Sequence, residues 1–177
     1  MIEQPPQNPA GEYVCPKRLT NGLKHELIEK LESVPSRASE QVSGMGDSQL
    51  DTKYRNWTIR QIIHHLADSH MNCYVRFKWA LTESTPEIKA YDESRWSQLL
   101  DAKKLPVASS LTILEGVHQR WAGMLRLLSD EQFDLAFFHP ELGKAVTLAQ
   151  ALPSYVWHSD HHLAQIEWVR NHHGWKN

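Results

Sequence analysis

Three histidines fall within five residues in "YVWHSDHHLAQI", Tyr155 to Ile166, and three more, His64, His65 and His70, stand in "IRQIIHHLADSH" far upstream. Neutral imidazole is the commonest side-chain metal ligand and also the usual acid or base near neutral pH. In the downstream group, His158 and His162 are four apart. On a helix that spacing stacks two rings one turn apart, so that both reach one ion, as in HExxH zinc helices. His158 with His161 is the second-ranked pair. Two imidazoles do not hold a metal tightly, and the pair alone reads equally well as hydrogen-bonded core histidines. A metal reading therefore needs a third ligand from another element.

Both groups sit on strong helix patterns. "TIRQ" (Thr58 to Gln61) is a capping box, a Thr followed three residues on by Gln. Behind it Ile59, Ile62, Ile63, Leu66, Cys73, Tyr74, Phe77 and Leu81 recur at threes and fours, which predicts a helix to about Thr82. "TLAQ" (Thr147 to Gln150) is a second capping box, opening a helix that ends near Asn171, with Pro153 tolerated in its early turns. On a wheel at about 100° per residue, His158 and His162 lie on the apolar side with Tyr155, Leu163, Ile166 and Val169. His161 points elsewhere, flanked by Trp157 and Trp168. In the upstream helix His70 lies mid-stripe, His65 at the stripe's edge beside Ile62 and Ser69, and His64 away from both. Periodicity alone favours His70 as the third ligand.

The remaining pattern is also helical. "LKHELIEKLESV" (Leu23 to Val34) is amphipathic, Pro35 interrupts it, and "SRASEQVSGM" continues as a second helical piece. "GDSQLDTKYRN" reads as loop and "ESTPEIKAYDES" as a connection, followed by a short helix over Arg95 to Leu100. Ser109 to Leu128 forms another long amphipathic helix. "AFFHPELGKAVTL" predicts a small hairpin around Glu141–Lys144. Residues before about Lys17 read as an extended arm. Together these make an all-α four-helix bundle in one domain spanning 1–177, and bundle metal sites are built from inward-facing side chains on adjacent helices.

Composition excludes several function classes. The chain has 177 residues, 41 % hydrophobic and 23 % charged, with net charge −2 and 11 histidines. No basic face of the kind that displaces counterions from phosphates is present, so nucleic acid is not an expected partner. No segment approaches a membrane span and the start lacks a signal-peptide pattern, so no membrane partner and a cytoplasmic location are expected. Cys15 and Cys73 form no CxxC, and neither is paired with a histidine base, which argues against a cysteine nucleophile.

"WTIRQIIHHLADSHMN", "YDESRW" and "YVWHSDHHLAQI", in this order, closely resemble the YfiT branch of the DinB superfamily. The resemblance runs from about Gly11 through the last helix. It implies a four-helix bundle, association as a homodimer, and one divalent metal held by three histidines, which map to His65, His158 and His162. That overrules the periodicity vote for His70, which becomes a core or supporting residue. Members of the superfamily include transferases that use a low-molecular-weight thiol such as bacillithiol or mycothiol. The branch itself is described as metal-dependent hydrolases.

Three imidazoles and one open position form a catalytic rather than a structural zinc pattern. A thiol captured there loses its proton and attacks an electrophilic substrate; a water captured there hydrolyses one. Thiol transfer leads, on the resemblance, with hydrolysis close behind and a non-catalytic metal-binding bundle third. The ion is zinc or nickel, which the ligand set does not decide. Gln165 and Asp68 are candidate hydrogen-bond partners of the ligand histidines. Asp92 and Glu93 are candidate acids or bases at the bundle mouth, and Arg95, Arg120 and His139 candidate substrate contacts.

Overall fold

A computed structural model describes residues 4–175; the first three residues of the expected arm and the last two of the tail lie outside them. In chain order the elements are α1 (Asn21–Val42), α2 (Asp47–Leu50), β1 (Lys53–Tyr54), β2 (Trp57–Thr58) and α3 (Ile59–Thr82). Then come α4 (Glu93–Trp96), α5 (Leu100–Lys104), α6 (Ala108–Leu127), β3 (Ala136–His139), β4 (Lys144–Thr147) and α7 (Leu148–His172). The four long helices form the bundle. Both capping boxes are made: Thr58 and Thr147 accept from Gln61 N and Gln150 N, and the two glutamines reach back to the cap backbones.

Core composition gives the helix directions. One buried cluster joins Leu27, Ile28 and Leu31 of α1 with Phe77 and Ala80 of α3, Trp121 and Leu125 of α6, and Leu148 and Leu152 of α7. The other joins Ala38 and Val42 of α1 with Ile59, Ile62 and Leu66 of α3, Leu114 of α6, and Leu163, Ile166 and Val169 of α7. The first halves of α1 and α7 therefore meet the second halves of α3 and α6. So α1 runs parallel to α7, α3 runs parallel to α6, and the two pairs are antiparallel. Parallel neighbours cannot be joined by a tight turn. The chain from Glu83 to Val107, carrying α4 and α5, returns along the bundle between α3 and α6.

Three expectations are corrected. The helix does not break at Pro35: α1 runs through it as one element. Apolar residues on both sides, from Leu27 to Val42, are buried on one stripe and hold the two pieces in line. Pro35 has no N–H for the carbonyl of Leu31. His118 of α6 supplies one instead, Nδ1–H to Leu31 O at 2.6 Å. The short helix lies not over Arg95–Leu100 but as α4 and α5, because the Asp92 carboxylate caps Arg95 N and so starts the turn earlier. "GDSQLDTKYRN" holds α2 and β1, and β1 pairs with β2 through Arg55–Asn56, with Arg55 at φ 50°. His64, expected to point away from His65 and His70, is buried and bonded to Ser110 Oγ at 2.7 Å and Leu105 O at 3.2 Å. The hairpin expected near Glu141–Lys144 is present as β3–β4.

Candidate metal centre

The two halves of the core meet at a layer of polar side chains. His70 is fully buried and bonds His118, Nδ1 to Nε2 at 2.8 Å. Because Leu31 O can only accept, His118 carries its proton on Nδ1, and its Nε2 accepts from His70. Burial holds both imidazoles neutral, with His118 pushed down to about 4. His70 is thus committed to the core, 5.7 Å from the His158 ring between centroids.

One layer toward β2, the rings of His65, His158 and His162 converge. Their nearest nitrogens all lie within 4.8 Å of one another, and His65 Nε2 and His158 Nε2 are 3.1 Å apart. Ring centroids are 4.5 Å apart for His158–His162, 4.8 Å for His65–His162 and 5.2 Å for His65–His158. A tetrahedral ion with metal–nitrogen bonds near 2.0–2.1 Å needs donors ~3.3 Å apart. The three rings meet that need after a small closure. Burial depresses all three, His65 to about 4, and neighbouring imidazoles add to the effect at His158 and His162. Neutral rings with converging lone pairs are the protonation state a metal requires.

Support differs from ring to ring. His162 Nδ1–H donates to Gln165 Oε1 at 2.8 Å, which leaves Nε2 free to bind. Gln165 Nε2 then donates to His161 Nε2, also at 2.8 Å. His161 stacks on Trp157, whose indole N–H donates to Gly11 O in the N-terminal arm. Trp57 covers two of these rings from β2, 4.6 Å from the His65 ring and 6.0 Å from that of His162. His158 Nδ1 is buried without a hydrogen-bond partner among the described residues. Asp68 makes no hydrogen bond to any of the three histidines among them either. Burial, and then Asp101, raise its carboxyl to about 6.

The triad opens on a cleft of about 490 Å³ whose wall includes Trp57, Ser69, Arg76, Tyr91, His139 and Tyr155. That is within the range of small-molecule sites. Of the residues expected at the mouth, Glu93 and His139 line this cleft. Asp92 is spent on the cap of α4. Arg95 borders a different depression beside Asn56, and Arg120 lies over the Tyr74 ring. Arg76, Tyr91 and Tyr155 were not singled out from the sequence. A signal for Arg76 exists: it follows His65 by eleven positions, which on a helix returns to within about 20° of the same face.

The fold and the histidine geometry together place the chain in a class. Residues 30–166 match the DinB superfamily model, and the chain belongs to that superfamily. Among its relatives is YfiT of Bacillus subtilis, 48 % identical over 94 % of this chain and 95 % of its own. The solved YfiT structure, described as a probable metal-dependent hydrolase with an unusual four-helix bundle topology, superposes with a TM-score of 0.93 over 96 % of this chain and 98 % of that one. A relative from Oceanobacillus iheyensis, provisionally named a metal-dependent hydrolase, is 44 % identical over 89 % of this chain and 92 % of its own. A mycothiol-dependent maleylpyruvate isomerase shares the fold at a TM-score of 0.59 and 18 % identity, over 78 % of this chain and 60 % of that one.

Proposed function

We propose that this protein is a metal-dependent hydrolase in which His65, His158 and His162 hold one divalent ion, zinc or nickel, at the head of the cleft. The observation that carries the reading is the convergence of three neutral imidazole nitrogens on a space that opens to a cleft. The names given to the relatives at 44–48 % identity support hydrolysis over other metal chemistry. An ion held by these residues would supply Lewis acidity. The chain's own residues do the rest. Gln165 fixes the His162 tautomer, Trp57 shields two of the three rings from water, and β3–β4 with Tyr91 would wall in a substrate against the histidines.

Transfer of a low-molecular-weight thiol is the second reading. Three neutral donors leave the ion's full double charge uncompensated, and such a centre favours an anionic thiolate. The fold shared with the mycothiol-dependent isomerase is compatible with it. Assay of the untagged, metal-loaded protein separates the two. The hydrolase reading expects metal-dependent cleavage of activated esters or amides without added thiol. Conjugation of an electrophile such as monochlorobimane with bacillithiol, with no hydrolysis of any ester or amide, overturns it. No described helix is long and apolar enough to cross a membrane. Association of two copies, which the family resemblance implies, is read by sedimentation equilibrium.

A further inference from the structure

Arg76 is the cleft residue that a hydrolytic centre alone does not account for. It is 6 % exposed, and its guanidinium donates one hydrogen bond, Nη1–H to Tyr155 Oη at 3.2 Å. Among the described residues no carboxylate pairs with it. Arg60 shows what a buried arginine ordinarily requires: Asp47 and Asp51 at 2.7 Å each, and Leu105 O at 3.1 Å. A guanidinium has five N–H donors and keeps its charge at any ordinary pH. Removing it from water without a counter-ion is costly, so such a residue persists where a counter-ion arrives from outside.

Position makes the missing partner a substrate group. Arg76 shares the α3 face with His65, about 16 Å along the axis, and its side chain leans back toward the helix N-terminus and so toward His65. Tyr155, which holds one arm of the fork, is three residues before His158, with ring centroids 5.8 Å apart. The fork and the three imidazoles therefore line two ends of one cleft. We infer that Arg76, held by Tyr155, receives a carboxylate on the substrate while the bond to be cleaved lies at the histidine end; the reaction named here rests on the hydrolase reading above. The substrate class is a carboxylate-bearing ester or amide. A planar fork matches a carboxylate bidentately. Among the described residues no lysine and no second arginine lines the cleft, and Glu93 and Glu141 stand exposed at its rim, so one negative charge is matched and a phosphate dianion is not.

The test is calorimetric titration of the full-length, zinc-loaded protein with 3-phenylpropionate, 3-phenylpropionamide and phenylphosphonate. The carboxylate is expected to bind about tenfold or more tightly than the amide. Arg76→Gln removes that preference and leaves amide affinity within about twofold, and the preference persists after zinc is stripped with a chelator. Equal binding of acid and amide by the unmodified protein overturns the inference. So does a preference that survives Arg76→Gln, or one that vanishes with zinc, which places the carboxylate on the ion. Arg76-dependent binding of the phosphonate above the carboxylate overturns the assignment to a monoanion. Should Arg76→Gln fail to fold by circular dichroism, Arg76→Lys keeps the charge but loses the fork. It is expected to cut the preference about threefold or more, and an unchanged preference removes the fork as receptor. Zinc-dependent turnover of 4-nitrophenyl acetate, read in parallel, keeps the two readings apart. Turnover without the Arg76-dependent preference removes the carboxylate receptor alone. The preference without any turnover removes the hydrolase alone.

Discussion

Gln165 offers the sharpest test of the proposed metal centre, because it touches a proposed ligand but cannot itself be one of the three. Its Oε1 accepts from His162 Nδ1–H at 2.8 Å and its Nε2 donates to His161. Gln165→Leu removes the acceptor that fixes the His162 tautomer. Second-layer partners of this kind are worth about 10–100-fold in metal affinity, or about 1.4–2.7 kcal/mol. Gln165→Glu behaves oppositely. A carboxylate accepts more strongly from Nδ1–H and makes Nε2 more basic. It cannot donate to His161, but His161 can move its proton to Nε2 and donate to the new carboxylate. The move relieves its Nδ1–H, which is buried without a partner among the described residues in the present tautomer. Zinc affinity measured against a chromophoric chelator at pH 7.5 should therefore fall about 10–100-fold in Gln165→Leu and hold or rise in Gln165→Glu. Equal affinities in all three proteins, with folding intact, refute the argument that His162 binds through Nε2 under Gln165 control.

Other perturbations follow from the same geometry. His65→Ala and His158→Ala should each lose stoichiometric zinc by atomic emission analysis of untagged protein; full metal content in both would remove the ligand assignment. His118→Leu strands the Leu31 carbonyl and should cost about 1–3 kcal/mol in urea unfolding. In a Pro35→Ala background, where the substituted residue brings a backbone N–H to that carbonyl, the cost should shrink, and an undiminished cost would refute the compensation. His118 is neutral when folded, with its value lowered from 6.5 to about 4. Between these values the unfolded chain binds one proton more than the folded one, so its contribution is intact above pH 6.5 and lost as pH falls toward 4. The metal-free unmodified protein should show the steeper loss of stability over that window, by up to about 1.4 kcal/mol per pH unit, than His118→Gln. Parallel pH profiles would contradict this.

The bundle is legible because its signals are local. Thr58 with Gln61 and Thr147 with Gln150 declare two helix starts, and spacing at threes and fours carries each helix from there. The face of His158 and His162 follows from the same periodicity. What periodicity cannot decide is which residue of a stripe meets which residue of another helix. His70 sits deeper in its stripe than His65 and so ranks higher by pattern, yet its depth is what commits it to His118. The resemblance, not the wheel, points to His65. The Pro35 break fails as an expectation because the residue that rescues Leu31 O lies 87 positions away on α6. Nothing in the neighbourhood of Pro35 could reveal it.

The same division explains why the cleft was harder to read than the triad. The proposed ligand set stands on two helices whose starts the capping boxes mark; spacing gives His158 and His162, and the resemblance gives His65. The cleft wall draws on α3, α7, β3–β4 and the connection after α3, elements brought together only by the parallel arrangement of α3 with α6. That arrangement forces the long return from Glu83 to Val107, and the return places Tyr91 and Glu93 over the histidines. Arg76 follows from the same cause. On α3 alone it is an arginine at the edge of an apolar stripe, with every reason to reach solvent. Only with Tyr155 in front and Tyr91 and His139 around the cleft does it become a buried charge awaiting a partner. The proposed metal end of the site is thus a property of two helices, and the proposed selectivity a property of the topology that closes over them.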